Sequence, residues 1–426
     1  MTAGGGAGSF SDASPAPEPA SLFRQRNFSS LWWGQLISLL GERLTYLALV
    51  GLLAEHTGHF ADPRSSQLLT LLAVVMLAPV LLFAPFTGAW VDRLNLRRVL
   101  IVSDTLRAGM VALIPVMYAT SHHTLPVYAL VFGLFACNVF FLPAKSAITP
   151  EIVPTSQLLA ANALLAGAGI AATAAGALGG GWVVDHWGWS RALWINGVTY
   201  LVSVAALAII TYRPHHAQSP HAAISLKSYL SEVGAGWAVV RGNRGVGLAL
   251  LALGAVWVAG GFLHVAGNQH IQRSALQPGM ERVGVLLAVL GLGSGLGTWW
   301  VNAQHRRLPP AALLGGGLVL AGMSLAVFAS STRFAVFAAA AFVTGIGAAP
   351  AFTLTETLLQ ECTETRQRGR VFSARDFLMR LVFLIGVSVA GAVTRGFGTR
   401  AALEIAAGAL VLAGLVAWVW GRSVRR

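Results

Sequence analysis

Twelve stretches of about twenty mostly apolar residues divide this chain, and no other feature restricts its fold as much. A helix of about 20 residues crosses the ~30 Å hydrocarbon core of a bilayer. Inside hydrocarbon every backbone polar group needs an internal partner, so only helices or closed barrels can span. Runs of this length select helices. They fall at 31–53, 68–90, 98–120, 126–147, 158–184 and 190–212, then at 244–266, 283–303, 311–330, 333–355, 371–394 and 400–421. The fold expected is all-α and integral to the membrane, with twelve transmembrane helices.

Composition agrees. Charged residues make up 11% of the chain, against about 25% in soluble domains. Mean hydropathy is +0.67. A net charge of +13 would suit nucleic acid, but the arginines gather in alternate loops between apolar runs, which excludes that partner. With both termini cytoplasmic, the inner segments and span ends hold 18 Lys and Arg and the outer ones 7. The positive-inside rule requires such a bias, so a multi-pass protein of the inner (cytoplasmic) membrane is expected, in contact with the lipid bilayer. Cys137 lies in an apolar run and Cys362 in a polar loop, a pattern that suits neither a disulfide framework nor a metal cluster.

The chain repeats itself at half its length. Gly88 to Arg98 reads GAWVDRLNLRR, and Gly297 to Arg307 reads GTWWVNAQHRR. Gly88 pairs with Gly297, Trp90 with Trp299, and Arg97–Arg98 with Arg306–Arg307, while Val301 stands opposite Asp92. Pro143-Ala144 at the end of span four matches Pro350-Ala351 at the end of span ten. The corner Trp187-Gly188 before span six matches Phe397-Gly398 before span twelve. Duplication at half length is a mark of transporters built from two related bundles.

The spacing Gly-x-x-x-Asp-Arg-x-x-x-Arg-Arg from Gly88 to Arg98 resembles the loop between the second and third helices of the major facilitator superfamily. That family usually carries a glycine after the Asp-Arg pair, where Asn95 or Leu96 stands here. Pro143 to Leu165, Arg368 to Phe372 and the opening Arg26 to Leu49 resemble the branch with enterobactin exporters and macrolide-efflux proteins. The resemblance implies two pseudo-symmetric six-helix bundles that work without a cofactor, as a monomer. Composition and the positions of the spans divide the chain into a disordered cytoplasmic tail (1–22, Gly, Ala, Ser and Pro with no apolar core), a first bundle (23–212), a cytoplasmic linker (213–243), a second bundle (244–421) and a basic tail (422–426). The linker is expected to hold an amphipathic helix over 224–240. His215, His216 and His221 there have no acid or cysteine at ligand spacing and read as solvated, so no metal site is expected. Antiporting relatives usually carry a Gly-Pro in span five. Here Gly167, Gly169, Gly176, Gly179, Gly180 and Gly181 supply close packing without a proline.

Charges inside a bilayer cost ~2.5–3.5 kcal/mol on insertion scales, so each needs a reason. Glu42, Asp376 and Glu356 are the candidates for proton coupling, with Glu42 first because adjacent Arg43 points ~100° away on a helix. Asp104 with Arg107, and Asp376 with Arg380 beside Arg375, are ion-pair candidates. For Asp104 and Arg107 a structural role is the better reading. Gly88, Asp92, Arg93, Arg97 and Arg98 form the cytoplasmic gating motif. Gln35, Asn138, Asn162, Asn196 and Trp257 are cavity candidates, with His264 a weaker one; packing or interhelical bonds compete with that role for each.

These residues point to a secondary transporter that exports an amphipathic small molecule (drug, macrolide or siderophore-like) by alternating access, driven by protons. A lipid or lysolipid flippase on the same fold is the first alternative. A membrane-embedded transferase is a lesser one, since the chain has no His-Glu-x-x-His, clustered aspartates or nucleophile elbow. A transport-dead sensor is the third. Intact Asp92-Arg93 and Glu42 weigh against it. No enzymatic activity is expected.

Overall fold

The computed structural model describes residues 22–62, 64–91, 93–211, 244–274, 279–305, 307–362 and 368–423. Helices account for nearly all of them. The first six are α1 (Arg26–His56), α2 (Ser65–Val91), α3 (Leu96–Ser121), α4 (Leu125–Ile152), α5 (Leu158–Trp187) and α6 (Trp189–Ile209). Next comes α7, which runs from Arg244 to Ser274 and contains a π-helical segment at Leu263–Gly267. It is followed by α8 (Met280–Gln304), α9 (Pro310–Ser330) and α10 (Phe334–Cys362).

The last helical run, Arg368–Ser423, has 56 residues. Straight, it would measure about 84 Å, far more than one crossing needs. Gly398 interrupts it with φ 86° and ψ 170°, dividing it into α11 (368–397) and α12 (399–423). Eleven of the described helices are long and apolar enough to cross, and the break falls within the last of these, Ala374–Trp420. Gly188, its partner in the repeat, takes φ 85° and ψ 155° between α5 and α6. A side chain is strained in that region, so both corners call for glycine.

Local sequence explains most helix ends. The Asn95 side chain caps α3 by accepting from the Arg98 amide at 3.1 Å. Proline opens α9, where its missing N–H would have no intrahelical partner. Pro143 and Pro350 lie inside their helices rather than at the ends expected for spans four and ten. The helices run on to Ile152 and Cys362, because membrane helices re-satisfy the freed backbone group. Span seven, expected to stop at 266, continues to Ser274. The polar residues Asn268 to Gln272 lowered its apparent hydropathy, yet they are buried.

The helices pair alike in both halves. In the first, α1 packs on α5, α2 on α4, and α3 on α4 and α6. In the second, α7 packs on α11, α8 on α10, and α9 on α10 and α12. Two seams join the halves, α5 against α8 and α2 against α11. The end carrying the Gly188 and Gly398 turns is the corner end; the opposite end, where α6 stops and α7 starts, is the linker end. Leu22, at the edge of the expected tail, is buried with Phe28, Val153 and Ala161. The rest of that tail, the expected linker helix with its three histidines, and residues 424–426 lie outside the described residues.

Candidate functional site

A cavity of about 1060 Å³ lies between the halves. Its walls come from both, including Leu77 and Phe135 on one side and Trp257 and Phe383 on the other. Trp257 and Phe383 meet edge to face at 5.8 Å. Ligand cavities commonly have apolar walls with a few polar groups that fix orientation.

The roof of the cavity, toward the corner end, is made by the π segment of α7. His264 Nε2 lies 3.1 Å from the Leu69 carbonyl and Nδ1 lies 3.0 Å from the Tyr46 hydroxyl. The carbonyl can only accept, so Nε2 carries the proton and Nδ1 accepts from Tyr46. Asn268 donates to the His264 carbonyl at 2.7 Å. The two His264 bonds tie α7 to α1 and α2.

More ties lie beyond the roof. Gln269 donates to Ser66 at 3.0 Å, and Arg273 binds the Phe60 carbonyl. The Asp185 carboxylate, at the end of α5, accepts from the Met280 amide at 2.7 Å and the Glu281 amide at 2.8 Å. It thus caps α8 across the seam, where unpaired amides and the helix dipole favour an anion. Gly181 and Gly284 let α5 and α8 touch. A Cβ on Gly284 would run into the Ala177 carbonyl, and one on Gly181 into the Met280 carbonyl. Together these contacts seal the corner end.

Beside the cavity, inside the first half, lies a charged cluster. Arg107 is 1% exposed and pairs with fully buried Asp104 and, at 2.8 Å, with Glu42. Its guanidinium stacks on Phe141 and Tyr200, 4.3 and 4.7 Å from the ring centres. Ser203 donates to the other Asp104 oxygen at 2.6 Å. A small side pocket of about 140 Å³ brings Glu42 and Arg107 together with Arg43, Tyr46 and Asn138. The last three also line the main cavity, so the two spaces adjoin.

The second half carries a looser cluster. Arg375 binds Glu356 and, at 2.8 Å, Asp376. The pairing expected between Asp376 and Arg380 gives way to the neighbouring arginine, and Arg380 lines the main cavity instead. Glu42 likewise finds Arg107, sixty-five residues away, a partner no local spacing suggested.

The remaining candidates divide. Asn138 and Trp257 line the cavity. Gln35 is buried within its own half, and Asn196 is buried against Thr45. Asn162 is exposed and away from the cavity. In the gating motif, Gly88 lies on α2, Arg93 and Arg98 are exposed, and Asp92 is outside the described residues. Arg97 binds the carbonyls of Leu207 at 3.1 Å and Ala208 at 2.5 Å, at the end of α6 where helical partners run out. Among the described residues no three His, Cys, Asp or Glu gather closely enough to hold a metal. Sequence reasoning missed the corner seal, namely Asp185, Tyr46, Asn268, Gln269 and Arg273. One signal was present: the polar run Asn268 to Arg273 follows the apolar span with no proline between them.

The sequence model of the Major Facilitator Superfamily matches residues 31–333 and 282–426. Macrolide efflux protein A of Streptococcus pyogenes is 25% identical over 393 residues, covering 84% of this chain and 87% of that protein. The putative bacilysin exporter of Bacillus subtilis is 26% identical over 365 residues, covering 84% and 86%. Among solved structures, a bacterial homologue of the human lysosomal transporter Spinster, inward-facing and unoccupied, superposes with a TM-score of 0.71. The identity is 14%, and 94% of this chain and 97% of that one are covered. With two packed halves around one cavity and a family match over most of its length, the chain belongs to the Major Facilitator Superfamily and is a multi-pass membrane transporter, not an enzyme.

Proposed function

We propose that this transporter exports an amphipathic small molecule by alternating access, coupled to protons through Glu42. The observation that carries the reading is the cavity between the halves, closed at the corner end by hydrogen bonds that would have to break for it to open there. The arginine bias puts the linker end and both termini in the cytoplasm, which makes this the inward-facing state of an inner-membrane protein. Relatives named for macrolide efflux and bacilysin export support the outward direction. Asp92, with Arg93, Arg97 and Arg98, would supply the cytoplasmic latch of the opposite state. The protein works as a monomer in this reading.

Glu42 fits proton coupling because it joins a fixed cation to an accessible space. Arg107 holds it when it is charged, and the side pocket gives it a route to the cavity. Protonation would release Glu42 from Arg107 and change the balance between the two states. In reconstituted vesicles, Glu42→Gln should abolish accumulation driven by a pH gradient and spare exchange of labelled for unlabelled cargo. Loss of both processes would make Glu42 structural or cargo-binding. Survival of both would pass the role to Asp376 or Glu356, or remove proton coupling. Lipid scrambled between leaflets with no export of drug-like cargo would favour the flippase.

A further inference from the structure

We infer that the central cavity selects an anionic amphiphile: an apolar body bearing a carboxylate, sulfonate or phosphate group. This rests on the reading of the cavity as the cargo site and adds the charge of the cargo. Among the described residues two arginines line the cavity, Arg43 from α1 and Arg380 from α11, one from each half. Neither has a carboxylate within ion-pair distance among the described residues. No Asp or Glu is among the described residues lining this cavity.

On the first half, Glu42 lies in the adjoining side pocket. It is engaged by Arg107, which Asp104 also engages. Those three groups carry one net negative charge when all are ionised, which Arg43 alone offsets. Arg380 then leaves the cavity positive. On the second half, Arg375 occupies both Glu356 and Asp376, and none of the three lines the cavity. His264, as the tautomer that donates to the Leu69 carbonyl and accepts from Tyr46, adds no charge.

Packing explains how Arg43 is presented. Its stem lies against Gly176 of α5, where a Cβ would come within 2.9 Å of the Arg43 Cβ and 3.2 Å of its Cγ. The absent side chain at Gly176 leaves a groove for the stem, and the guanidinium is left exposed at the cavity. An unpaired arginine within a membrane protein is costly unless it faces water or a counter-ion. Guanidinium forks suit the planar or tetrahedral oxygens of carboxylate, sulfonate and phosphate. The apolar walls with Trp257 and Phe383 would take the rest of the molecule.

Two xanthene dyes of similar size and opposite charge test this, fluorescein as the anion and rhodamine 6G as the cation. Equilibrium binding to purified protein in nanodiscs needs no gradient, so the result is independent of proton coupling and of transport direction. The parent protein should bind fluorescein at least tenfold more tightly than rhodamine 6G. Arg43→Gln and Arg380→Gln should each weaken fluorescein binding about tenfold, while Arg43→Lys and Arg380→Lys keep it within a few-fold. Monodisperse elution of each variant guards against misfolding. Tighter binding of rhodamine 6G, fluorescein binding indifferent to both Gln substitutions, or no binding of either dye would overturn the inference.

Discussion

The Tyr46 hydroxyl lies 3.0 Å from His264 Nδ1, and this bond joins α1 of the first half to the π segment of α7 in the second. Separating the two halves at the corner end would break it. A net hydrogen bond is worth about 0.5–1.5 kcal/mol, which is a few-fold to tenfold in a two-state equilibrium. Tyr46→Phe should therefore shift the population toward the corner-open state by up to about tenfold. Spin labels at exposed His123 and Thr332, one on each half, would report a larger long-distance fraction. An unchanged distance distribution would remove Tyr46 from the seal.

Asp185 should matter at least as much. Its two carboxylate oxygens accept from the first two amides of α8 across the seam. Removing a capping side chain costs about 0.5–2 kcal/mol. Asp185→Ala should open the corner end, and Asp185→Asn, which keeps one acceptor oxygen, should do so less. The same pair of labels ranks the two variants. Equal effects would mean that charge, rather than the acceptor count, dominates.

Gly284 gives a steric test of the same seam. Alanine there would strike the Ala177 carbonyl in the closed state. Gly295, on the same helix, has nothing within 4 Å of an added Cβ. Gly284→Ala should drive the protein toward the corner-open state, whereas Gly295→Ala should leave the populations alone and stabilise the helix by up to about 1 kcal/mol. Accessibility of a cysteine placed at Leu69 to a membrane-impermeant thiol reagent from the corner side measures the difference. Labelling at the parent rate in Gly284→Ala would show that the seam is not close-packed.

The two charged clusters should differ sharply in what they contribute to stability. Arg107 is buried between Asp104 and Glu42, so Arg107→Gln strands a buried carboxylate at a cost of about 3–5 kcal/mol. In the second half, Glu356 and Asp376 are 47% and 56% exposed, so Arg375→Gln should cost about 1 kcal/mol or less. Thermal unfolding of the solubilised protein should fall by about 3–6 °C for the first and by about 1 °C or less for the second. Adding Asp104→Asn to Arg107→Gln should recover part of the loss, because it removes the stranded charge. Absence of any recovery would point to lost stacking on Phe141 and Tyr200 instead.

The sequence by itself determined the membrane-spanning helices, the duplication and the family, because these depend on properties read along one strand of chain. Run length decides whether a helix crosses a bilayer, and the bias of arginines decides which loops stay inside. The matched corners at Gly188 and Gly398 were legible too, since a turn in that conformation needs glycine whatever surrounds it. Only the tertiary structure decided the partners. Glu42 meets Arg107 on α3, Tyr46 meets His264 in the other half, and Asp185 caps a helix that begins ninety-five residues later. No local period encodes such pairs. A polar group in a low-dielectric interior is strongly driven to find a partner, and which partner is within reach depends on how whole helices pack. The π segment of α7 follows the same logic. The polar run that looked like the end of a span continues the helix beyond the roof of the cavity, where Asn268 and Gln269 meet the other half.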